Sequence, residues 1–149
     1  MTDRELYELA AAAREHAYAP YSRFFVGAAL LTDAGEVFSG CNIENAAFGP
    51  SVCAERTAIF KAVSTGQRRF SAIAIAGGPE GAGKLEFCPP CGVCRQVMAE
   101  FCSPENFRVI LGNSGGETVA YRLKELLPLG FGAGDLGQKS KHADGQAGS

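Results

Sequence analysis

Clusters of basic residues are missing from this sequence, which argues against binding to nucleic acid. The 149 residues include 14 Lys and Arg and 16 Asp and Glu, for a net charge of -2. The closest approaches to a basic cluster are Arg68-Arg69 and the two lysines of Lys139-Ser140-Lys141. Proteins that hold a phosphate backbone usually show a clustered positive patch. We therefore expect no nucleic-acid partner.

Long apolar runs are also missing. No segment approaches the roughly 20 apolar residues of a membrane-spanning helix, and the charged N-terminus lacks the apolar core of a signal peptide. We expect no membrane association and a cytoplasmic location. Because thiols stay reduced there, the six cysteines are expected to bind metal or to pack; three disulfides are the disfavoured alternative.

Histidine is scarce, so a metal site in this chain has to use thiolates. The two histidines, His16 and His142, lie in a predicted helix and a predicted tail. Cys91 and Cys94 are spaced i, i+3 after Pro90, which puts both sulfurs on one face of the first turn of a helix. Cys53 lies at the N-terminus of another predicted helix. Three protein ligands leave the fourth tetrahedral position open, which is typical of a catalytic site for one Zn²⁺ per chain.

Two charged residues follow Cys53 on the same predicted helix. Glu55 is a carboxylate that can move protons without occupying the metal, so we predict that it is the catalytic acid and base. Arg56 lies one turn after Cys53 and can offset the excess negative charge of three thiolates by donating hydrogen bonds to them. The alternative for Arg56 is an ordinary solvated helix charge.

Cys88 leaves a second reading of the metal site open. It forms a C-x-x-C-x-x-C run with Cys91 and Cys94, so four cysteines including Cys53 could close a structural zinc site without chemistry. Pro89-Pro90 stiffens the link and is expected to keep Cys88 off the helix face. A binding module that uses zinc only to stabilise its fold would not need the carboxylate of Glu55. Glu55 therefore favours a catalytic zinc site.

Periodicity along the chain predicts an α/β domain. The predicted order is helix, two strands, helix, strand, helix, two strands and helix, which gives a three-layer α/β/α sandwich around a five-stranded mixed sheet. The predicted ranges are helices 3–17, 55–63, 91–101 and 122–127, strands 24–31, 36–43, 71–76, 107–111 and 117–121, and a glycine-rich loop over 77–83. We assign residues 1–131 to one catalytic domain and 132–149 to a disordered tail.

Six segments, taken in order, give the chain a specific resemblance. It resembles the small, homotetrameric type of zinc-dependent cytidine deaminase, over roughly residues 5–136. The segments are Ala19-Pro20-Tyr21-Ser22, residues 24–31, residues 40–46 (Gly-Cys-Asn-Ile-Glu-Asn-Ala), residues 53–58 (Cys-Ala-Glu-Arg-Thr-Ala), residues 90–96 (Pro-Cys-Gly-Val-Cys-Arg-Gln) and Leu126-Leu127-Pro128.

The resemblance implies an activity and a set of substrate contacts. The implied reaction is hydrolytic deamination of cytidine and 2′-deoxycytidine to uridine and 2′-deoxyuridine in pyrimidine salvage, by a homotetramer with shared active sites. Asn42 and Glu44 would hold the ribose hydroxyls and Phe24 would pack on the pyrimidine. The main chain at Ala54 would read the base. On the residues alone, Asn42 is a turn former, Glu44 a solvated charge and Phe24 a core residue.

Three further positions concern neighbouring subunits or depart from the family. The resemblance implies that the main chain around Ala46 lines the adjacent active site and that Phe131 enters an adjacent pocket. Phe48 stands at a substrate-contact position where many relatives have tyrosine, so a hydroxyl contact is lost there. A longer loop over 77–87 is the second departure. The rival substrates, nucleoside antibiotics and polynucleotides, are disfavoured by Asn42-Ile43-Glu44-Asn45 and by the absent basic surface.

Overall fold

The computed structural model describes residues 1–138 and contains the predicted order of helices and strands. Within those residues, no helix is long and apolar enough to cross a membrane. The elements are α1 (Asp3–Arg14), β1 (Phe24–Thr32), β2 (Val37–Cys41), α2 (Ala54–Ser64), β3 (Phe70–Pro79), α3 (Gly92–Phe101), β4 (Arg108–Gly112), β5 (Thr118–Arg122), α4 (Leu123–Leu126) and a 3-10 helix (Ala133–Leu136).

The five strands form one mixed sheet in the order β2-β1-β3-β4-β5. β1 pairs antiparallel with both β2 and β3, β3 runs parallel to β4, and β4 pairs antiparallel with β5. Parallel strands need a crossover connection, and α3 lies in the crossover between β3 and β4. The predicted mixed sheet is confirmed.

The two faces of the sheet carry side chains of different size. On β3, Ile73 and Ile75 pack with α2 and α3, whereas Ala72, Ala74 and Ala76 pack with α1, because successive strand residues point to opposite faces. The face with the smaller side chains lets α1 pack close to the sheet. At Gly27 of β1 the contact is so close that a Cβ would overlap the Ala10 carbonyl oxygen. Helices cover both faces, so the predicted three-layer arrangement is confirmed.

Most boundaries agree with the predictions within two residues, and three features differ by more. α1 ends at Arg14 rather than at residue 17, because the next three N–H groups bond three residues back, in a tighter turn. β3 continues through Gly77, Gly78 and Pro79, where a loop was predicted, because these residues pair with β1 up to Phe24. A 3-10 helix follows Gly132, where no element was predicted. The rest of the predicted tail, residues 139–149, lies outside the described residues, and the boundary at residue 131 stays a prediction.

Candidate active site

Three predicted ligands meet where two helices begin. The Sγ atoms of Cys53, Cys91 and Cys94, called here the cysteine trio, all lie within 4.8 Å of one another. The Sγ atoms of Cys53 and Cys91 are 3.7 Å apart. Tetrahedral zinc with Zn–S bonds of about 2.3 Å separates its sulfurs by about 3.8 Å, so the trio fits this metal. Among the described residues Cys88 does not belong to this cluster, which agrees with its predicted exclusion.

Each helix start directs positive charge at the trio. Cys53 is the N-cap of α2 and Cys91 the N-cap of α3, and Cys94 is buried in the first turn of α3. Neither N-cap side chain accepts a capping hydrogen bond from the backbone N–H groups of its own helix. The unpaired N–H groups at a helix N-terminus stabilise anions, so both helices favour thiolates here.

Hydrogen bonds inside the trio set the charge of its thiols. Bonds from the Cys94 thiol, from Arg56 and from Cys91 lower the pKa of Cys53 to about 5, although burial opposes this. The pKa of the Cys94 thiol is raised, because its proton bonds to Cys53 and because the group is buried. Metal binding would require the Cys94 thiol to lose its proton, because thiolates and not thiols are metal ligands.

Glu55 is the buried carboxyl group beside the trio. Glu55 is only 4% exposed to solvent. Burial raises the pKa of Glu55 to about 7, and the negative charge of Cys53 adds to the increase. The backbone N–H of Glu55 and the Cys94 thiol lower that pKa by bonding to the carboxylate. A carboxyl group with such a pKa can both donate and accept a proton near neutral pH.

Arg56 lies in the position predicted for it. Its Nη2 donates to Cys53 Sγ at 3.6 Å. The Cys53 thiolate raises the pKa of Arg56, so the guanidinium stays charged. Its Nε is buried and has no hydrogen-bond partner within the part of the chain that the structure describes. The contact of Nη2 with Cys53 agrees with the predicted charge-offsetting role of Arg56, which stays a prediction.

A cavity of about 370 Å³ opens beside the trio. Its metal end carries Cys53, Cys91 and Glu55, and its loop end carries Ser22, Asn42 and Glu44. Such a volume suits a small polar molecule with one flat apolar face. The other lining residues are Phe24, Val26, Ser51, Val52, Ala54, Arg56, Cys88 and Pro89.

The loop end is held by hydrogen bonds to the backbone. Asn42 Oδ1 accepts from the Val26 N–H at 2.9 Å, and Asn42 Nδ2 donates to the Phe24 carbonyl at 2.8 Å. One oxygen of Glu44 accepts from the N–H groups of Tyr21 and Ser22. These bonds hold the pKa of Glu44 below its usual value, with the Ser22 contacts first. Asn42 is therefore fixed beside Phe24, and Glu44 keeps its second oxygen for a ligand.

Three predicted contact residues do not line this cavity. Ala46, Phe48 and Phe131 are absent from its lining, and Phe48 and Phe131 are 81% and 59% exposed. Gln96 Nε2 donates to the Phe131 carbonyl at 2.7 Å, which fixes the backbone there. The prediction that these residues serve a neighbouring subunit lies beyond a single chain and stays a prediction.

Several functional positions were missed by the sequence analysis. Arg14 is buried, and the sequence analysis gave it no role. It donates to the carbonyls of Phe25, Gly78 and Pro79, at the ends of β1 and β3. Cys88 lines the cavity as a neutral thiol, because burial raises its pKa to about 11. Gly77 leaves space for this thiol, because a Cβ there would lie 2.6 Å from the Cys88 sulfur.

Known proteins share both the sequence and the fold. The family described as the cytidine and deoxycytidylate deaminase zinc-binding region matches residues 1–110. A cytidine deaminase of Halalkalibacterium halodurans is 52% identical over 135 residues, which cover 90% of this chain and 98% of that protein. One of Sporosarcina psychrophila is 50% identical over 124 residues, covering 83% and 87%.

A crystal structure of cytidine deaminase from Burkholderia pseudomallei superposes with a TM-score of 0.79. Its sequence is 50% identical, and the match covers 88% of this chain and 100% of that one. The shared sequence, the shared fold and the cysteine trio at the helix starts lead to one conclusion. The chain is an enzyme of the hydrolase class and belongs to the cytidine and deoxycytidylate deaminase family.

Proposed function

We propose that this chain catalyses the hydrolytic deamination of cytidine and 2′-deoxycytidine in pyrimidine salvage, with one zinc ion per chain. The observation that carries the proposal is Glu55, a buried carboxyl group on the same cavity wall as a three-cysteine cluster that fits zinc and leaves one position open. A structural zinc site would have four protein ligands and would not need a carboxyl group that transfers protons. Zinc held by Cys53, Cys91 and Cys94 would act as a Lewis acid that lowers the pKa of water.

Glu55 carries the proton transfers of the proposed reaction. It donates a proton to N3 of cytosine, which makes C4 electrophilic. It then accepts a proton from the attacking water and passes it to the exocyclic nitrogen. The C4–N bond breaks and ammonia leaves. Glu55 takes up the second proton of that water from the C4 hydroxyl, which restores the protonated carboxyl group and gives uridine. One carboxyl group thus acts in turn as acid and as base.

The loop end of the cavity binds the sugar in this proposal. Asn42 and Glu44 have the donors and acceptors that a ribose needs, and a 3′-hydroxyl is present in both proposed substrates. Phe24, 40% exposed at the cavity wall, packs on the flat face of the base. Ala54, wholly buried at the start of α2, offers main-chain groups to the base. The carboxylate of Glu44 disfavours a 5′-phosphate.

A homotetramer with shared active sites is the proposed assembly. It is supported by exposed apolar side chains, Phe48, Leu129 and Phe131, which in a single chain face solvent. In the assembly Phe131, the main chain at Ala46 and the ring of Phe48 would complete a neighbour's cavity. Sedimentation of fully active monomers would contradict this assembly. The cytoplasmic location stays a prediction.

The decisive experiment follows the loss of ultraviolet absorbance as purified protein converts cytidine to uridine, with and without chelator. Zinc is measured in the same sample, and 2′-deoxycytidine and a cytosine-containing oligonucleotide serve as comparison substrates. Chelator-sensitive turnover of both nucleosides, with about one zinc per chain, is the expected result. Zinc without turnover of either nucleoside would contradict the proposal and favour a structural site.

A further inference from the structure

Arg95 is a charged residue beside the metal site that the proposed reaction leaves without a role. It follows Cys94 on α3 and is half-buried. Its Nε donates to the Pro90 carbonyl at 2.8 Å, and its Nη1 donates to the Leu126 carbonyl at 2.9 Å. A guanidinium with two such bonds has a defined orientation, because its donors form a rigid planar fork. Arg95 therefore joins the segment before Cys91 to the end of α4.

Arg95 also bonds to both peptide groups that flank Cys91. The Pro90 carbonyl belongs to the peptide group before Cys91, and the Cys91 carbonyl belongs to the one after it. The Arg95 side chain bonds to the first, and the Arg95 main-chain N–H bonds to the second at 3.0 Å. Because peptide groups are planar, holding both of them restrains the φ and ψ angles of Cys91. Those angles, -69° and 167°, set the direction of its side chain.

Packing restrains Cys91 less than the other two ligands. Cys91 is exposed, whereas Cys53 is half-buried and Cys94 is buried. Residues 87–91, which end at this ligand, have no regular secondary structure. Ordering an exposed side chain on an irregular segment costs conformational entropy unless its backbone is already held. Bonds to the backbone therefore have to supply the restraint that packing does not.

The two helix starts are held by different kinds of bond. Before α2, Val52 exchanges a pair of backbone hydrogen bonds with Ile43, at 2.9 and 3.0 Å. Before α3, Pro90 has no N–H with which to form such a pair. A side chain bonds to the Pro90 carbonyl instead, and that side chain is Arg95.

We propose that Arg95 is a positioning residue of the metal site, which holds the Cys91 sulfur in the place where it binds zinc. It acts through the peptide group between Pro90 and Cys91, not on the metal or the substrate. Groups that orient metal ligands typically contribute about 10–100-fold to metal affinity. The inference rests on the proposed function, since it concerns the zinc of that site.

The test measures the release of zinc, not turnover. Zinc-loaded protein is mixed with an excess of a chromogenic chelator, and the colour change gives the dissociation rate constant. Arg95→Met removes both side-chain donors, and we expect zinc to leave at least about tenfold faster than from the unmodified protein. Arg95→Lys keeps the charge and can bond to one of the two carbonyls, so its rate constant should lie between those two.

Two controls separate this role from a general loss of stability. Arg14→Met also removes a guanidinium that bonds to backbone carbonyls, but at the ends of β1 and β3. Gln96→Leu changes the neighbour of Arg95 on α3, whose side chain donates to the Phe131 carbonyl. Urea denaturation measures the stability of each variant. Both controls should change the zinc dissociation rate constant by less than about twofold, whatever they do to the unfolding midpoint.

Cobalt gives a second readout, because Co²⁺ can replace Zn²⁺ at such sites. The near-ultraviolet absorption that arises from charge transfer between sulfur and cobalt reports the metal–thiolate bonds. At full occupancy, Arg95→Met should absorb less per bound cobalt than the unmodified protein, because its bond to Cys91 is weakened. A general loss of stability would leave the absorption of the folded, loaded protein unchanged.

Three results would overturn the role of Arg95. These are zinc release from Arg95→Met at the rate of the unmodified protein, an equal acceleration in Arg14→Met, and an unchanged cobalt absorption. If the unmodified protein binds zinc but deaminates neither nucleoside, the proposed function fails. The release rates of the variants still decide whether Arg95 positions Cys91.

Discussion

The metal end and the loop end of the cavity are built in different ways. At the metal end, Cys53, Cys91 and Cys94 sit in the first turns of two helices, and buried Glu55 bonds to one of their thiols. At the loop end, Asn42 and Glu44 follow a strand and hold a neighbouring loop through its backbone. The reacting groups are thus fixed by regular secondary structure, and the recognition groups by longer-range contacts. Changes at the metal end should abolish turnover, and changes at the loop end should weaken binding.

The largest effect should come from removing a metal ligand, with Cys88 as the matched control. Cys94→Ala should reduce bound zinc from about one to less than about 0.1 per chain and abolish deamination, because the remaining two thiolates hold the metal weakly. Cys88→Ala removes a half-buried thiol of the same cavity wall and should retain both zinc and turnover. Zinc is measured by mass spectrometry after gel filtration. Loss of zinc from Cys88→Ala would contradict the three-ligand site.

Glu55→Gln should give the next largest effect, on turnover alone. The amide keeps the size of the buried side chain but cannot transfer protons, so kcat should fall by at least about 10²-fold. Zinc content and thermal midpoint should match those of the unmodified protein, because no ligand is lost. Near-normal kcat in this variant would show that another group moves the protons.

Arg14→Met tests the support behind Phe24. The change removes the charged donor to the carbonyls of Phe25, Gly78 and Pro79, and should lower the free energy of unfolding by about 2–3 kcal/mol. Urea denaturation measures the change. Arg23→Met is the control, since that guanidinium is exposed and pairs only with Glu80 at the surface. An unfolding midpoint lowered equally by both variants would refute a special role for Arg14.

The smallest effect is expected at the loop end. Glu44→Gln keeps the acceptor for the Tyr21 and Ser22 N–H groups but loses the charge, and should raise KM for cytidine about tenfold with little change in kcat. Steady-state kinetics on cytidine and 2′-deoxycytidine provide the measurement. If kcat and kcat/KM instead fell by the same factor, Glu44 would act in the transition state, and the two ends of the cavity would not differ in role.

The two ends also differ in how far the sequence predicted them. Much of the metal end was predictable because its residues are close in sequence. Cys91 and Cys94 are spaced i, i+3, and Glu55 is two residues after Cys53, so each pair stays together however the rest of the chain folds. The order of helices and strands along the chain followed from periodicity for the same reason.

The remaining features depend on residues that are distant in sequence. Asn42 bonds to residues 16 and 18 positions away, and Arg14 reaches carbonyls as far as 65 positions away. No local pattern shows such partners. β3 extends through Gly77–Pro79 because β1 lies beside it, although glycine and proline locally favour a loop.

The most direct test of the account is X-ray absorption spectroscopy at the zinc edge of the purified, active protein. The account predicts three sulfur neighbours at about 2.3 Å and one oxygen neighbour at about 2.0 Å, because the cysteine trio leaves the fourth position open. Four sulfur neighbours would contradict it, since Cys88 would then close the site and Glu55 would have no water to activate.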